Sequence, residues 1–137
     1  MTTHRFSCSL NNLEKICDYV THYANQAGLS EAEVYAVQLA VDEAATNIIE
    51  HGYGQECPSR IDVTCEILEN GLKVVIYDDA EPFDPATVPE PEINVSLEDI
   101  KPRGLGIFFM RKMMDDVEYE TSPDQGNTLT MIKYHHP

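Results

Sequence analysis

Up to His51 the apolar residues of this chain recur every three or four positions, and from Ile61 onward they recur every two. A strand cannot bury the first pattern on one face and a helix cannot bury the second, so the switch dictates helices first and a sheet after them. Asn11 with Glu14 reads as a capping box ahead of Leu13, Ile16, Cys17, Val20, Tyr23 and Ala27, the apolar stripe of a helix that ends at Gly28. Ser30 with Glu33 repeats the capping box and opens a second helix, which carries Val34, Val37, Val41, Ala45 and Ile48 inward. That helix is predicted to run to about His51, where the glycines at 52 and 54 stop it. Residues 5–9 alternate as a short strand before the pair. Downstream, Ile61, Val63, Cys65 and Ile67 point inward while Asp62, Thr64 and Glu66 point outward, and Asn70-Gly71 turns the chain into a partner strand over Leu72 to Tyr77. Strand, two helices, then a meander is the order of an α+β two-layer sandwich, not of an alternating parallel sheet.

The second helix has a second rhythm. Glu43 and Asn47 are four residues apart and stand one above the other, flanked by the small side chains of Ala36, Ala40 and Ala44. On its own this spacing fits a wetted polar face as well as a binding site. The partner strand then runs into Asp78-Asp79-Ala80-Glu81-Pro82-Phe83-Asp84-Pro85, and carboxylates at the end of a buried strand are costly unless they bind something. Five of the eight prolines fall between residues 82 and 102, which leaves a long irregular segment of the kind that forms lids and binding loops. It closes on Lys101-Pro102-Arg103-Gly104-Leu105-Gly106, followed by a third helix carrying Ile107, Phe108, Met110, Met113, Met114 and Val117. Gly-x-Gly opening a helix either permits close packing or presents free N–H groups to an anion. Lys101, Arg103, Arg111 and Lys112 are four of only nine basic residues, which favours the anion. Two strands, Val117 to Thr121 and Asn127 to Tyr134, complete the chain.

Length and charge set the outer bounds. At 137 residues the chain is read as one domain, 1–137, large enough to bury a core without staples. Cys8, Cys17, Cys57 and Cys65 show no metal-site spacing and are expected to be free thiols. No apolar run approaches the ~20 residues of a membrane span, and MTTHRFSCSL lacks the layout of a signal peptide, so a cytoplasmic location is expected. A formal charge of −15 repels nucleic acid and anionic membranes alike and suits a basic protein partner better.

Taken together, Glu43-x-x-x-Asn47, Asp78 with Pro-Phe-Asp-Pro behind it, Arg103-Gly-Leu-Gly106 and Gly126-Asn-Thr128 resemble the N-box and glycine boxes of the GHKL ATPase superfamily. Within it, the resemblance is to the short, single-domain anti-sigma-factor serine kinases of bacteria, over nearly the whole chain. It implies a Bergerat-type ATP-binding fold, a mostly antiparallel mixed sheet covered on one face by three helices, with an ATP lid at about 86–103. It implies ATP and Mg²⁺ as cofactors, with Asn47 holding Mg²⁺ and Asp78 accepting a hydrogen bond from the adenine amino group. Arg103, Gly104, Leu105 and Gly106 would cradle the phosphates, Ala80 would lie against the base and Thr128 would line its pocket. Glu43 would be the general base that takes a proton from a serine hydroxyl.

The same resemblance implies a sigma factor as one partner, an anti-anti-sigma (STAS-type) protein as the phosphorylated substrate, and a homodimer. The family's Asp-x-Gly is Asp78-Asp79-Ala80 here. The extra methyl disfavours positive φ by roughly 1–2 kcal/mol, which bears on nucleotide affinity and leaves the fold alone. Two readings follow: a serine kinase that sequesters a sigma factor, favoured by Glu43 and Asn47, and a non-catalytic adaptor with weak or no ATP turnover, favoured by Ala80. A histidine-kinase transmitter is disfavoured, since no dimerisation helix with a phospho-acceptor His precedes the domain.

Overall fold

The computed structural model describes residues 2–49, 60–79, 110–122 and 126–136. A strand β1 (Thr2–Ser7) leads through a single 3-10 turn into α1 (Leu13–Gln26), and α2 (Glu31–Asn47) follows. Then come β2 (Arg60–Leu68), β3 (Gly71–Asp78), β4 (Asp116–Ser122) and β5 (Gly126–Tyr134), and residues 110–113 are helical as well. The five strands form one sheet in the order β1-β2-β3-β5-β4. Among the described residues every pairing is antiparallel, in keeping with the mostly antiparallel sheet the family resemblance implied.

Alternation decides which face is buried. Ile61, Val63, Cys65, Leu72, Val74, Ile76, Leu129 and Met131 point to one side and form the core with Ile16, Val20 and Ala24 of α1 and Val34, Val37, Val41 and Ala45 of α2. Ile67 shares their side of β2 but is 44% exposed, whereas its cross-strand partner Leu72 is fully buried. Ala40 and Ala44 are also core residues instead of spacers beside the polar pair, and Ile49, not Ile48, closes the buried stripe. Met110 and Met114 pack into the same core.

Local signals act where they are local. Ser30 accepts from the Glu33 N–H at 3.2 Å and Glu33 accepts from the Ser30 N–H at 2.7 Å, a complete capping box that fixes the start of α2. Gly28, at φ +79, ends α1 in the left-handed region. The box expected at Asn11 and Glu14 does not form; Asn12 is the N-cap and its amide instead donates to the Ser7 carbonyl at 2.8 Å. The β2–β3 turn is made by Glu69 and Asn70, with Gly71 already paired to Leu68. Gly71 is required there for a different reason: a Cβ would stand 2.3 Å from the Lys133 carbonyl oxygen of β5. Cys17 and Cys65 are free, and burial pushes the Cys65 thiol up to about 12. Cys8 is disulfide-bonded, which corrects the expectation of a free thiol there.

The strand register shows which ends of the layers coincide. The N-terminal end of α2 lies over the end of β5 and the start of β3, because Glu33 bonds to His135 and His136 while the His135 N–H donates to the Asn70 carbonyl at 2.7 Å. Seventeen residues of helix span ~25 Å and eight of strand ~27 Å, so α2 and β3 are of similar length. At the other end of the sheet β3 ends and β5 begins.

Candidate functional site

Four side chains on α2, β3 and β5 are the candidates for a site. Glu43 and Asn47 come from the last turns of α2, both half-buried, as the spacing predicted. Asp78 ends β3 with its side chain on the core face, only 4% exposed. Directly opposite it in the register stands Asn127, 1% exposed, whose Nδ2 donates to Asp78 Oδ1 at 3.0 Å. Burying a carboxylate against an apolar core costs several kcal/mol unless hydrogen bonds replace water, and the Asn127 amide supplies one.

Gly126 explains how the strands come this close. It sits at φ +85, and a Cβ there would lie 2.6 Å from both the Asp78 carbonyl oxygen and the Tyr77 hydroxyl. No side chain fits between the two strand ends, which lets Asn127 follow at once on the buried face.

Thr128 does not join this group. One residue further along β5, it pairs with Tyr77 and Glu120 and lies on the outer face of the sheet, where the Arg60 guanidinium sits 5.8 Å from the Tyr77 ring centre. The side-chain period of two sends neighbours to opposite faces, so the β5 residue beside Asp78 is Asn127. The sequence signal was available, since Asn127 begins the same alternation that buries Leu129 and Met131. Ala80, Arg103, Gly104, Leu105, Gly106 and the lid at 86–103 lie outside the described residues.

The donor set suits a magnesium nucleotide. Carboxylates and an amide oxygen are the hard ligands that Mg²⁺ takes, usually one or two from protein with the rest from water and phosphate. Among the described residues no group of three or more candidate ligands converges, so a cation here would need phosphate oxygens to complete its shell. The Asn47 amide nitrogen is buried with no hydrogen-bond partner among the described residues. A buried amide left unsatisfied costs about 1–3 kcal/mol, a penalty that a ligand contact offsets.

Comparison with known proteins agrees with this fold. A family model described as histidine kinase-like ATPase domain matches residues 6–133. The serine-protein kinase RsbW of Bacillus cereus (strain AH820) is 29% identical over 115 residues, covering 81% of this chain and 70% of the relative. The RsbW of Bacillus mycoides (strain KBAB4) is 28% identical over the same length. Among solved structures, the RsbU and RsbW domains of Rv1364c from Mycobacterium tuberculosis match with a TM-score of 0.67 at 12% identity, covering all of this chain and 34% of that one. The catalytic domain of the histidine kinase ThkA matches with a TM-score of 0.57 at 17% identity, each chain covered in full. At such identities the structural matches speak for the fold alone. Among the described residues no helix is long and apolar enough to cross a membrane.

Proposed function

This chain belongs to the histidine kinase-like ATPase domain family, and from that premise we propose that it is an anti-sigma factor with ATP-dependent protein serine kinase activity. The observation that carries the reading is the buried Asp78, which accepts a hydrogen bond from Asn127 across the end of β3 and the start of β5. A buried acceptor at a strand end recognises a donor, and the exocyclic amine of adenine is such a donor.

In this reading Asp78 accepts from the adenine amine and Asn47 offers its amide oxygen to Mg²⁺. Gly104, Leu105 and Gly106 present backbone N–H groups to the phosphates beside Arg103. Bound Mg²⁺ supplies neutralisation of the phosphate charge. Glu43 would accept the proton of the substrate serine as its oxygen bonds to the terminal phosphorus and the bond to the bridging oxygen breaks, releasing ADP. Positioning and charge neutralisation then provide most of the rate. Residues 1–137 work as one cytoplasmic domain with the segment 86–103 as its lid. Its partners are a sigma factor, which it sequesters, and an anti-anti-sigma protein of the STAS type, which it phosphorylates, docking on outer surfaces of a homodimer. The RsbW names of the curated relatives support this assignment, and the charge of −15 supports a basic protein partner.

Ala80 supports a second reading, an adaptor that binds the same partners without turnover. Incubation with γ-labelled ATP, Mg²⁺ and a purified anti-anti-sigma protein separates the two. Label on a substrate serine is the expected result; no transfer while the partners still bind establishes the adaptor.

A further inference from the structure

We infer that the solvent face of α2 built on Tyr35 and Leu39 is a docking surface for a cationic amphipathic helix of a partner protein. The partner's apolar side chains seat on this pair, and its Lys or Arg side chains meet the carboxylates around it. This surface rests on the reading above that the chain acts through protein partners, and on none of its nucleotide chemistry.

The apolar pair stands where neither the helix nor the core requires it. At 3.6 residues per turn, Glu31, Tyr35, Leu39 and Asp42 fall within roughly 80° of one another around α2, and all four are exposed. Tyr35 is 61% and Leu39 38% exposed, two of the three large apolar side chains that stand in solvent among the described residues. They are one helical turn apart, the spacing at which side chains form a ridge for a second helix. Helix formation favours Ala, Lys, Glu or Gln over Tyr at an exposed position. The core stripe of α2 is carried on its other side by Val34, Val37 and Val41. Tyr is enriched where partners bind, because its ring buries much area with only two torsions to fix. From Glu31 to Asp42 the stripe runs ~16 Å, about three turns, which is the seat of one short helix.

Charge selects the occupant. α2 contains no Lys, Arg or His, and Glu31 and Asp42 bracket the apolar pair without a salt bridge among the described residues. Across the helix seam α1 adds Glu14 and Asp18, both exposed and likewise without one. The negative charge of the two helices converges at Cys17. Burial raises that thiol's pKa first, a hydrogen bond with Thr21 lowers it, and Asp18, Asp42 and Glu14 each raise it further. A two-fold contact between copies of this chain would set the face against itself, carboxylate on carboxylate. Nucleic acid and anionic membranes meet the same repulsion. A helix with apolar residues at i and i+4 and cations beside them matches both features of the face.

The test uses a fluorescently labelled synthetic peptide of leucines and lysines set at helical spacing, and a counterpart whose lysines are glutamates, titrated with the whole protein. Wild-type protein is expected to bind the lysine peptide and not the glutamate one. Tyr35→Ala combined with Leu39→Ala, which leaves the charge untouched, should weaken binding at least ~10-fold. Glu31→Lys with Asp42→Lys should do the same, whereas Glu118→Lys with Glu120→Lys, an equal change of net charge on exposed residues of β4, should stay within ~3-fold of wild type. Circular dichroism establishes that each variant is folded. Wild-type protein that ignores the lysine peptide, equal losses in the two charge reversals, or an apolar double variant that binds as the wild type does would overturn the inference. So would a change in the association state of the protein alone when Tyr35 and Leu39 are replaced, since the face would then be a contact between copies. ATP titrated into the wild type keeps the readings apart: selective peptide binding without ATP binding leaves the docking surface standing while the nucleotide reading fails, and ATP binding without selective peptide binding does the reverse.

Discussion

The Glu33 carboxylate accepts a hydrogen bond at 2.7 Å from the backbone N–H of His136, 103 residues further along the chain. The same carboxylate accepts from His135 Nδ1 and from the Ser30 N–H, each at 2.7 Å, and so joins the start of α2 to the segment that follows β5. His136 is held a second time by Asp115, at 3.2 Å.

These contacts predict a pH dependence with a definite sign. The His135 hydrogen bond, with those of His136 and Ser30, lowers the Glu33 pKa from 4.5 to about 2. A carboxyl depressed by folding stabilises the native state above its unfolded pKa. The contribution is therefore complete above pH 4.5 and is lost as pH falls through about 2. Urea denaturation from pH 7 to pH 2 should give Glu33→Gln a deficit of about 1–2 kcal/mol at neutral pH, the usual range for a lost cap, that closes in this acid window. A deficit that stays constant to pH 2 would count against the assignment.

Gly126→Ala tests the tight approach of β5 to the end of β3. The new methyl needs φ +85 and lies 2.6 Å from the Asp78 carbonyl oxygen. A loss of about 1–3 kcal/mol in chemical denaturation is expected. Gly28→Ala, at φ +79 with nothing near its Cβ, should lose only about 1 kcal/mol. Equal losses at the two positions would mean that the crowding at Gly126 relaxes away.

How far the sequence was legible follows from the range of each interaction. The Ser30–Glu33 capping box, the helix stripes and the strand alternation are local, and they appear as predicted except that Ile49 replaces Ile48 in the α2 stripe, Ile67 is exposed and the first strand spans Thr2–Ser7 instead of 5–9. The α+β sandwich and the resemblance to the GHKL ATPases and their anti-sigma kinases are borne out by the sheet and by the family and relatives that match. The order β1-β2-β3-β5-β4, which places β5 beside β3, pairs strands far apart in sequence and leaves no local trace. The Asn127–Asp78 contact depends on that pairing, so a motif-level reading settled on its neighbour Thr128, one residue and one sheet face away. The Asn70-Gly71 turn was displaced by one residue for a related reason: Gly71 answers to the backbone of β5, not to the turn. Glu33, read as a capping residue, also binds His135 and His136, which no spacing within α2 could announce.

Glu43→Gln separates chemistry from binding. The amide keeps the size of the carboxylate and cannot take the proton from a serine. Transfer of phosphate to the substrate protein should fall by ~10²–10⁴-fold, with little change in ATP affinity. Transfer at the wild-type rate would remove Glu43 from the mechanism.

Ile16→Ala tests whether α1 and the sheet share one core. Ile16 is fully buried among residues of both layers. The expected cost is about 2–5 kcal/mol in a denaturation curve that remains a single transition. A cost below 1 kcal/mol would mean that α1 packs far more loosely than its burial indicates.

The central claim is that the buried carboxylate at the end of β3 is a nucleotide site, and calorimetric titration of ATP into wild-type protein and Asp78→Asn tests it most directly. The account predicts Mg²⁺-dependent binding to the wild type, weakened at least ten-fold, about 1.4 kcal/mol, by a substitution that keeps the side chain's shape but removes its charge and one acceptor. Wild-type protein that shows no binding at millimolar ATP, or a folded Asp78→Asn that binds as tightly as the wild type, would contradict it.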